Sequence, residues 1–248
     1  MSSVISLRIR GRSMLRPPPL TGFGITMIGP TVLQYGTEEQ KQRYLPQVIE
    51  AEWRPFTAAW IEPVYDFDPN ELHLTARQED GAYVLAGEKT FVPYAADAEA
   101  MLVYASLEGK TQGFILPHGA PGVQVGERQK LLGIHSLPLY SLHLNDVRLP
   151  LENRLGGVEG HDFAPILDGA RVAMAALAIG LSKAAFEYAR DYAKDRDVFG
   201  VKVAQKQAIA FLLAEMATEI EAIRLLTWEA AWMLDVAQPE ASKQAYLA

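Results

Sequence analysis

The chain has 248 residues, a formal net charge of −7, 49% hydrophobic residues and 21% charged residues. This balance is that of an ordinary globular protein, and the length is enough for one large or two ordinary domains. The acidic net charge argues against a nucleic-acid-binding protein, which needs a basic face to neutralise phosphates. The chain has no cysteine, which excludes disulfides and thiolate nucleophiles and fits a reducing compartment, so we expect a cytoplasmic protein.

Neither a metal site nor a membrane-spanning segment is predicted. The five histidines show no spacing typical of metal ligands, and cysteine ligands are absent. No run of about 18 apolar residues was recognised along the chain, so we expect no segment that crosses a membrane.

The N-terminal residues divide into a leader and a short helical part. Residues 1–20 carry four arginines and no acidic residue, end in a run of prolines, and are expected to be a disordered leader. An organellar targeting peptide is the alternative. In residues 21–54 we expect short helices on either side of Pro30. Thr37 and Gln40 are then spaced as a capping box that starts a further helix, running toward Pro46.

Residues 55–150 change to the pattern of a β domain. Short β-type runs alternate with turn signals at 79–81, 108–110 and 117–122. The runs lie at 56–61, 72–77, 83–86, 90–92, 101–106, 113–116, 123–125 and 140–147. This spacing predicts an antiparallel sheet folded as a sandwich or barrel.

After a loop at 152–160, helix is predicted to the end of the chain. Residues 188–235 indicate two long helices joined by a turn at 197–200, each about 30 residues and about 45 Å long. After the turn, apolar residues recur in steps of three and four, which is one helical stripe. They are Ile209, Leu212, Leu213, Met216, Ile220, Ile223 and Leu226. Two helices make half of a bundle, so we expect the stripe to be exposed and the chain to self-associate or to be poorly soluble.

Two motifs in these regions resemble the acyl-CoA dehydrogenase family. One is R-x-x-F-G at Arg196, Phe199 and Gly200, followed by Gln207 and by LAEMA at 213–217. The other is YGTEEQKQRYLP at 35–46. The order of a helical part, a β domain and long helices is also that of the family.

The resemblance implies an α+β fold with an N-terminal helical domain, a middle antiparallel β domain and a C-terminal long-helix bundle. The domains are then expected at 21–54, 55–150 and 151–248, after the leader at 1–20. Compared with the family, the chain is expected to be truncated at both ends. The N-terminal domain would be a remnant, and the C-terminal bundle would be partial.

The resemblance also implies the chemistry. Members remove a proton from the carbon α to a thioester and pass a hydride from the β carbon to FAD. This needs a carboxylate base, a gripped flavin ring and hydrogen-bond donors on the thioester carbonyl, where negative charge develops. FAD is therefore the expected cofactor, and an acyl-CoA is the expected substrate.

The segment 60–68 resembles the family's flavin loop, in which a Thr or Ser hydroxyl and the backbone bond the ring. Trp60 precedes that loop, Ile61 replaces the hydroxyl residue, and Phe67 replaces a later Ser. Ile61 has no donor, although Glu62 and Asp68 match the family. Flavin contact by Trp60, Ile61 and Phe67 is one interpretation, and a β-edge turn without flavin contact is the other.

The segment 87–93 resembles the family strand whose aromatic and hydroxyl residues flank the flavin. Phe91 keeps the aromatic residue, whereas Pro93 replaces the hydroxyl and also lacks an N–H. Phe91 and Pro93 are therefore candidate cofactor contacts. The alternative is that Phe91 is an ordinary core aromatic. Segments 131–136 and 146–150 also resemble the family and serve as fold markers.

Asp168 and Arg171 are candidate substrate contacts, because family residues at this point approach the acyl-CoA. In one branch of the family, the residue before this Arg is the catalytic Glu. Here it is Ala170, which cannot abstract a proton, and other branches place the base near the C-terminus. We therefore assign no catalytic residue. Arg171 holds either the CoA or a structural carboxylate.

The turn with Arg196, Phe199 and Gln207 is the third candidate cofactor contact. In the family this turn reaches the FAD of a neighbouring protomer, and a guanidinium suits a pyrophosphate. The alternative is a solvent-exposed helix–helix turn in which Arg196 pairs with Asp195 or Asp197.

Two functions follow from the resemblance. The first is an FAD-dependent acyl-CoA dehydrogenase that forms a homo- or hetero-oligomer, with an electron-transfer flavoprotein as a candidate partner. The second is a non-catalytic or decayed subunit that pairs with an active partner. This second function is suggested by the apolar replacements at Ile61, Phe67, Pro93 and Ala170. A purely structural helical module is a third and weaker interpretation.

Overall fold

The structure is a computed structural model that describes residues 21–49, 56–133 and 135–248. The described part divides into two compact units, a β unit ending at Phe163 and a helical unit Ala164–Ala248. The leader predicted at 1–20 lies outside the described residues.

The β unit begins with two helices, α1 (Thr21–Tyr35) and α2 (Glu38–Ile49). α1 runs through Pro30 as one helix, where the sequence predicted two short ones. The capping box of α2 is confirmed. The Thr37 amide donates to Gln40 Oε1 at 3.1 Å, and the Gln40 amide donates to Thr37 Oγ1 at 3.2 Å.

Gln40 also ties α2 to the loop that follows the sheet. Its buried side chain donates to the carbonyls of Glu152 and Arg154, both at 2.8 Å, and accepts from the Gly156 amide at 3.2 Å. One amide group therefore fastens the helical part to the far end of the β unit.

Seven strands of the β unit form one sheet in the order β1-β4-β2-β3-β7-β6, with β5 on the other edge of β4. They are β1 (Phe56–Ala59), β2 (Thr75–Glu79), β3 (Ala82–Pro93), β4 (Ala100–Leu107), β5 (Lys110–Pro117), β6 (Val123–Arg128) and β7 (Leu139–Pro150). Most pairings are antiparallel, as predicted, but β1 and β2 both run parallel to β4. The main apolar core of the described residues, which includes Leu74, Leu85, Val103, Phe114 and Leu142, lies on this sheet.

β3 is a single strand of 12 residues where the sequence predicted two short runs. Its pairing with β7 shifts register twice, between Leu85 and Gly87 and between Lys89 and Val92. Gly87 has φ +139, and a Cβ there would lie 2.8 Å from Leu74 Cα. The bulges let the strand continue where its sequence pattern breaks.

The helical unit contains two long helices, α3 (Ala164–Asp195) and α4 (Gln207–Asp235), and a short α5 (Ala241–Leu247). The predicted pair of helices is confirmed, with 32 and 29 residues. The connection is longer than predicted, because it contains a hairpin of β8 (Asp197–Val198) and β9 (Val201–Lys202). Val172, Ala230 and Ala245 form the core where the three helices meet.

Of the seven residues of the predicted apolar stripe on α4, three are exposed and four are half-buried in the described chain. Leu212, Met216 and Ile223 are 48%, 41% and 45% exposed. Other exposed large apolar residues of the helical unit are Met174, Leu181, Tyr188, Tyr192, Phe211, Leu225 and Trp232. Scattered exposed apolar residues are ordinary, but a set this large on adjacent helices indicates a surface that another element covers.

By length and composition alone, α3 could cross a membrane. The expectation that no segment is apolar enough to do so is therefore wrong for this helix. A single helix of this kind is weak evidence for a membrane span; α3 packs against α4 and α5, and 22% of its apolar window is buried.

Candidate functional site

Two exposed apolar residues of the β unit, Ile61 and Phe91, lie on segments that are bonded to each other, and we refer to the two together as the wall. Each side chain is 42% exposed, although both are large and apolar. The segments that carry them are bonded directly, because the Thr90 amide donates to the Ile61 carbonyl at 2.8 Å. Phe91 is therefore a surface residue beside Ile61, and the alternative of an ordinary core aromatic does not hold.

Phe91 lies outside the core because of the second bulge in β3. Lys89, Thr90 and Val92 are all buried, so two adjacent residues face inward and Phe91 is turned out. Phe91 has φ +53, a left-handed conformation that is unfavourable for a bulky residue. Backbone strain of this kind persists only where the surroundings fix it, and it is concentrated at functional sites.

A buried ion pair lies behind the wall. Lys89 Nζ donates to Glu62 Oε1 at 2.8 Å and to the Trp60 carbonyl at 2.9 Å. The two side chains are 0% and 2% exposed. The other contacts of the carboxylate are backbone amides, from His73 at 2.7 Å and Leu74 at 2.9 Å.

The environment shifts the pKa of both members of this pair downward. Burial lowers the pKa of Lys89 to about 8, because desolvation outweighs the neighbouring carboxylate. Burial alone would raise the pKa of Glu62. The hydrogen bonds from Lys89, Leu74 and His73 outweigh that effect, and the net pKa of Glu62 lies below its ordinary value. The 2.8 Å contact between the two buried side chains has the geometry of an ion pair.

Trp60 lies in an aromatic cluster inside the β unit. Its ring centroid is 5.3 Å from that of Tyr104 and 5.2 Å from that of Phe163. The indole Nε1 is buried and has no hydrogen-bond partner among the described residues. The cluster therefore positions the start of the 60–68 loop, and the indole N–H is a donor left unused.

Three further residues complete the surroundings of the wall. Asp68 shapes the loop, because its Oδ1 accepts from the Asn70 amide at 2.8 Å. Phe67 and Pro93 are partly buried, and Pro93 ends β3 opposite Leu139. Neither residue supplies a side-chain hydrogen-bond donor.

In the helical unit, the hairpin between α3 and α4 presents a free guanidinium and an exposed ring. Asp197 pairs with Lys202 at 2.7 Å, and no acidic group in the described chain pairs with Arg196. The alternative pairing of Arg196 with Asp195 or Asp197 is therefore wrong. Phe199 is 93% exposed and has φ +54. Lys206 Nζ lies over its ring, 5.5 Å from the centroid. Gln207, the first residue of α4, is also exposed.

Asp168 and Arg171 form one cluster on the first turns of α3. Arg171 donates to Asp168 Oδ1 at 3.1 Å, and its guanidinium carbon lies 5.1 Å from the ring centroid of Tyr246. Asp168 is 4% exposed. Two partners were predicted for Arg171, the CoA or a structural carboxylate, and in the structure Arg171 contacts a carboxylate, that of Asp168.

The comparisons with known proteins decide the family. Family models for the acyl-CoA dehydrogenase N-terminal, middle and C-terminal domains match residues 15–52, 57–147 and 163–248. The chain belongs to the acyl-CoA dehydrogenase family. The predicted fold is therefore confirmed, and FAD is the cofactor that the family and its FAD-dependent structural neighbours indicate.

Individual relatives agree. The mitochondrial short-chain specific acyl-CoA dehydrogenase of Bos taurus is 34% identical, and the match covers 86% of this chain and 53% of the relative's length. The caffeyl-CoA reductase–Etf complex subunit CarC of Acetobacterium woodii is 34% identical, and the match covers 90% of this chain and 60% of the relative's length. The structure of butyryl-CoA dehydrogenase from Megasphaera elsdenii matches with a TM-score of 0.79 and 31% identity, covering 91% and 60%. The chain thus spans little more than half the length of these relatives.

The described residues suit the apolar and the charged parts of FAD, but not the polar edge of its ring. The exposed, strained Phe91 beside Ile61 offers a surface for a flat ring. Arg196 offers a charge for the pyrophosphate, and Phe199 offers an aromatic face. Ile61 and Pro93 give the ring no side-chain donor, so its polar atoms would depend on backbone groups.

Sequence reasoning missed the ion pair that supports the wall. Glu62 and Lys89 both lie inside the family-like segments 60–68 and 87–93, but no pairing between them was predicted. The signal was available, since a lysine two residues before an aromatic in an apolar strand must be paired when buried. Gln129, whose amide donates to Thr90 Oγ1 at 2.8 Å, was also missed.

Proposed function

We propose that this chain binds FAD and serves in the α,β-dehydrogenation of an acyl-CoA thioester. The observation that carries the proposal is the exposed wall of Ile61 and Phe91, held by a buried ion pair within family-like motifs. FAD, when bound, supplies the acceptor for the hydride from the β carbon. This activity is the chemistry of the family to which the chain belongs.

In this proposal the wall packs against the flavin ring and excludes water from one of its faces. Both side chains lose exposed apolar surface on binding, which favours the complex. The wall needs no rearrangement, because the bulge already holds Phe91 outward at φ +53. A preformed surface reduces the entropy lost on binding.

The hairpin of the helical unit is proposed to bind the nucleotide end of an FAD that a neighbouring protomer holds. Arg196 would donate to phosphate oxygens, since its guanidinium is permanently charged and is not neutralised by an acid in the described chain. Phe199 would contact the adenine, and Gln207 would hydrogen-bond the nucleotide. By resemblance to the family, the FAD in question belongs to a neighbouring protomer, so we propose an oligomer.

The names of two relatives suggest the substrate and the electron acceptor. We propose a short-chain acyl-CoA, because the Bos taurus relative is described as short-chain specific. An electron-transferring flavoprotein is the proposed acceptor, because the Acetobacterium woodii relative is a subunit of an Etf complex. Asp168 and Arg171 bond each other, so their proposed contact with substrate requires that pair to open.

A non-catalytic subunit is the second candidate, and Ala170 is the observation that favours it. Ala170 stands where one branch of the family carries its catalytic Glu, and it has no group that accepts a proton. The fold-marking positions are intact around it. Such a chain would bind FAD or an active partner without carrying out proton abstraction.

One experiment separates these functions. The purified chain is mixed with FAD, passed through gel filtration, and its absorbance is recorded from about 300 to 550 nm. Retained flavin bands support the proposed cofactor site, and a colourless protein refutes it. Anaerobic addition of butyryl-CoA then bleaches the flavin band of an active dehydrogenase. A band that stays unchanged with acyl-CoAs of several lengths supports the non-catalytic subunit.

A further inference from the structure

The Lys89–Glu62 ion pair is an unusual feature of the β unit, because both charges are removed from water. Its side chains are 0% and 2% exposed, and its atoms are 2.8 Å apart. Desolvation of two charges is expensive, and well-packed apolar residues in place of such a pair are often as stable or more so. Stability alone is therefore a weak explanation for the pair.

The hydrogen bonds of the Lys89–Glu62 pair join separate segments of the backbone. Lys89 bonds the Trp60 carbonyl and the Glu62 carboxylate, so it fastens the loop before and after Ile61. The same carboxylate accepts the amides of His73 and Leu74, at the approach to β2. Three segments that are distant in sequence thus meet at one ion pair.

Both members of the apolar wall are attached to this junction. Ile61 lies between Trp60 and Glu62, and its carbonyl accepts the amide of Thr90, the neighbour of Lys89. Phe91 follows Thr90 in the bulge. The ion pair is therefore linked through the backbone to both residues of the wall.

We propose that Lys89 and Glu62 are positioning residues for the flavin site, which set the spacing and orientation of the Ile61–Phe91 wall. Their side chains are buried, so they act through the wall and not by touching the cofactor. The inference rests on the proposed function, because it assumes that the wall contacts FAD.

The test uses a double variant, Lys89→Met with Glu62→Gln. It removes both charges together, so no buried charge is left unpaired, and the single side-chain oxygen of the glutamine still accepts from one of the two amides, that of His73 or that of Leu74. We expect a melting temperature somewhat below that of the wild type, because one amide and the Trp60 carbonyl lose their partners, and binding is therefore measured well below the melt. We expect the Kd for FAD, measured by quenching of flavin fluorescence, to rise at least tenfold, with a changed shape of the bound flavin absorbance band.

The matched control is another ion pair of the β unit, Arg77 with Asp146, which is exposed and joins β2 to β7 at 2.8 Å. Arg77→Met with Asp146→Asn should leave the Kd and the spectrum unchanged. A double Lys89/Glu62 variant with wild-type Kd and spectrum overturns the inference and leaves the proposed function intact. A wild-type chain that binds no FAD overturns the proposed function, and the inference with it.

A second measurement applies if the double variant does not fold. Lys89→Met alone leaves the Glu62 carboxylate with its two amide donors, from His73 and Leu74, and amide hydrogen exchange by NMR needs no cofactor. We expect the Thr90 amide to lose at least tenfold in protection while the Val84 amide, earlier in β3, keeps its protection. An equal loss at both positions would show general destabilisation and would overturn the positioning role.

Discussion

Truncation of Phe91 should weaken FAD binding by an amount that the structure sets. A phenylalanine side chain offers about 200 Å² of surface, and Phe91 is 42% exposed. If FAD covers that fraction, binding buries about 80 Å² of this ring, which at about 25 cal/mol per Å² contributes about 2 kcal/mol. The Phe91→Ala variant should therefore raise the Kd for FAD about 30-fold.

The assay is a fluorescence titration of FAD with the apo chain at one salt concentration, together with a thermal melt of each variant. Phe114→Leu is the matched control. Phe114 is a fully buried aromatic of the same unit, with its ring centroid 5.1 Å from that of Tyr83. That control should lower the melting temperature and leave the Kd unchanged at temperatures well below the melt.

Two results would refute this reasoning. If Phe91→Ala binds FAD as tightly as the wild type, the exposed ring is not part of the site. If Phe91→Ala and Phe114→Leu weaken binding by the same factor, the effect follows the stability of the β unit and not a contact with the cofactor.

Three further predictions concern stability, self-association and pH. Gln40→Ala should cost about 2–4 kcal/mol, because it removes the four hydrogen bonds of a buried side chain, and should lower the melting temperature by roughly 6–12 °C. Gln47→Ala loses a bond within α2 and should leave the melting temperature unchanged, and equal effects of the two variants would contradict this role of Gln40. Leu212→Gln with Met216→Gln makes two exposed apolar residues polar, and should shift the chain toward the monomer in light scattering at micromolar concentration. A wild type that is already monomeric would contradict this prediction. Burial lowers the pKa of His161, so the stability contributed by its neutral form is complete above the ordinary value of 6.5 and is lost as pH falls through the folded pKa. Between about pH 7.5 and 5.5, the melting temperature should therefore fall less steeply for His161→Asn than for the wild type. Equal slopes for the two proteins would disprove this prediction.

The long helices and the capping box could be predicted because their signals are local. The stripe on α4 repeats every three to four residues, and Thr37 and Gln40 meet across three residues. Strand pairing is not local in the same sense. Alternation shows which side chains are buried, but it does not show that β1 and β2 both run parallel to β4.

The candidate site could be predicted only in part, because its geometry depends on a backbone irregularity. Simple alternation in 89–93 places Thr90 and Val92 on one face, and it places Lys89 with Phe91 on the other. The bulge instead buries Lys89 and turns Phe91 out. Glu62 lies 27 residues before its partner, so their contact is visible only once the strands are assembled.

The hydrogen bonds of Gln40 to the loop after β7 have a consequence for the order in which the β unit folds. Its carbonyl and amide partners are 112–116 residues further along the chain. During synthesis, α2 therefore emerges with its local capping box but without its anchors, and it acquires them only after β7 has left the ribosome. Because such distant contacts close large loops, they form late. The packing of α2 on β1 can thus form early, whereas its attachment through Gln40 is completed only after the last strand of the sheet has formed.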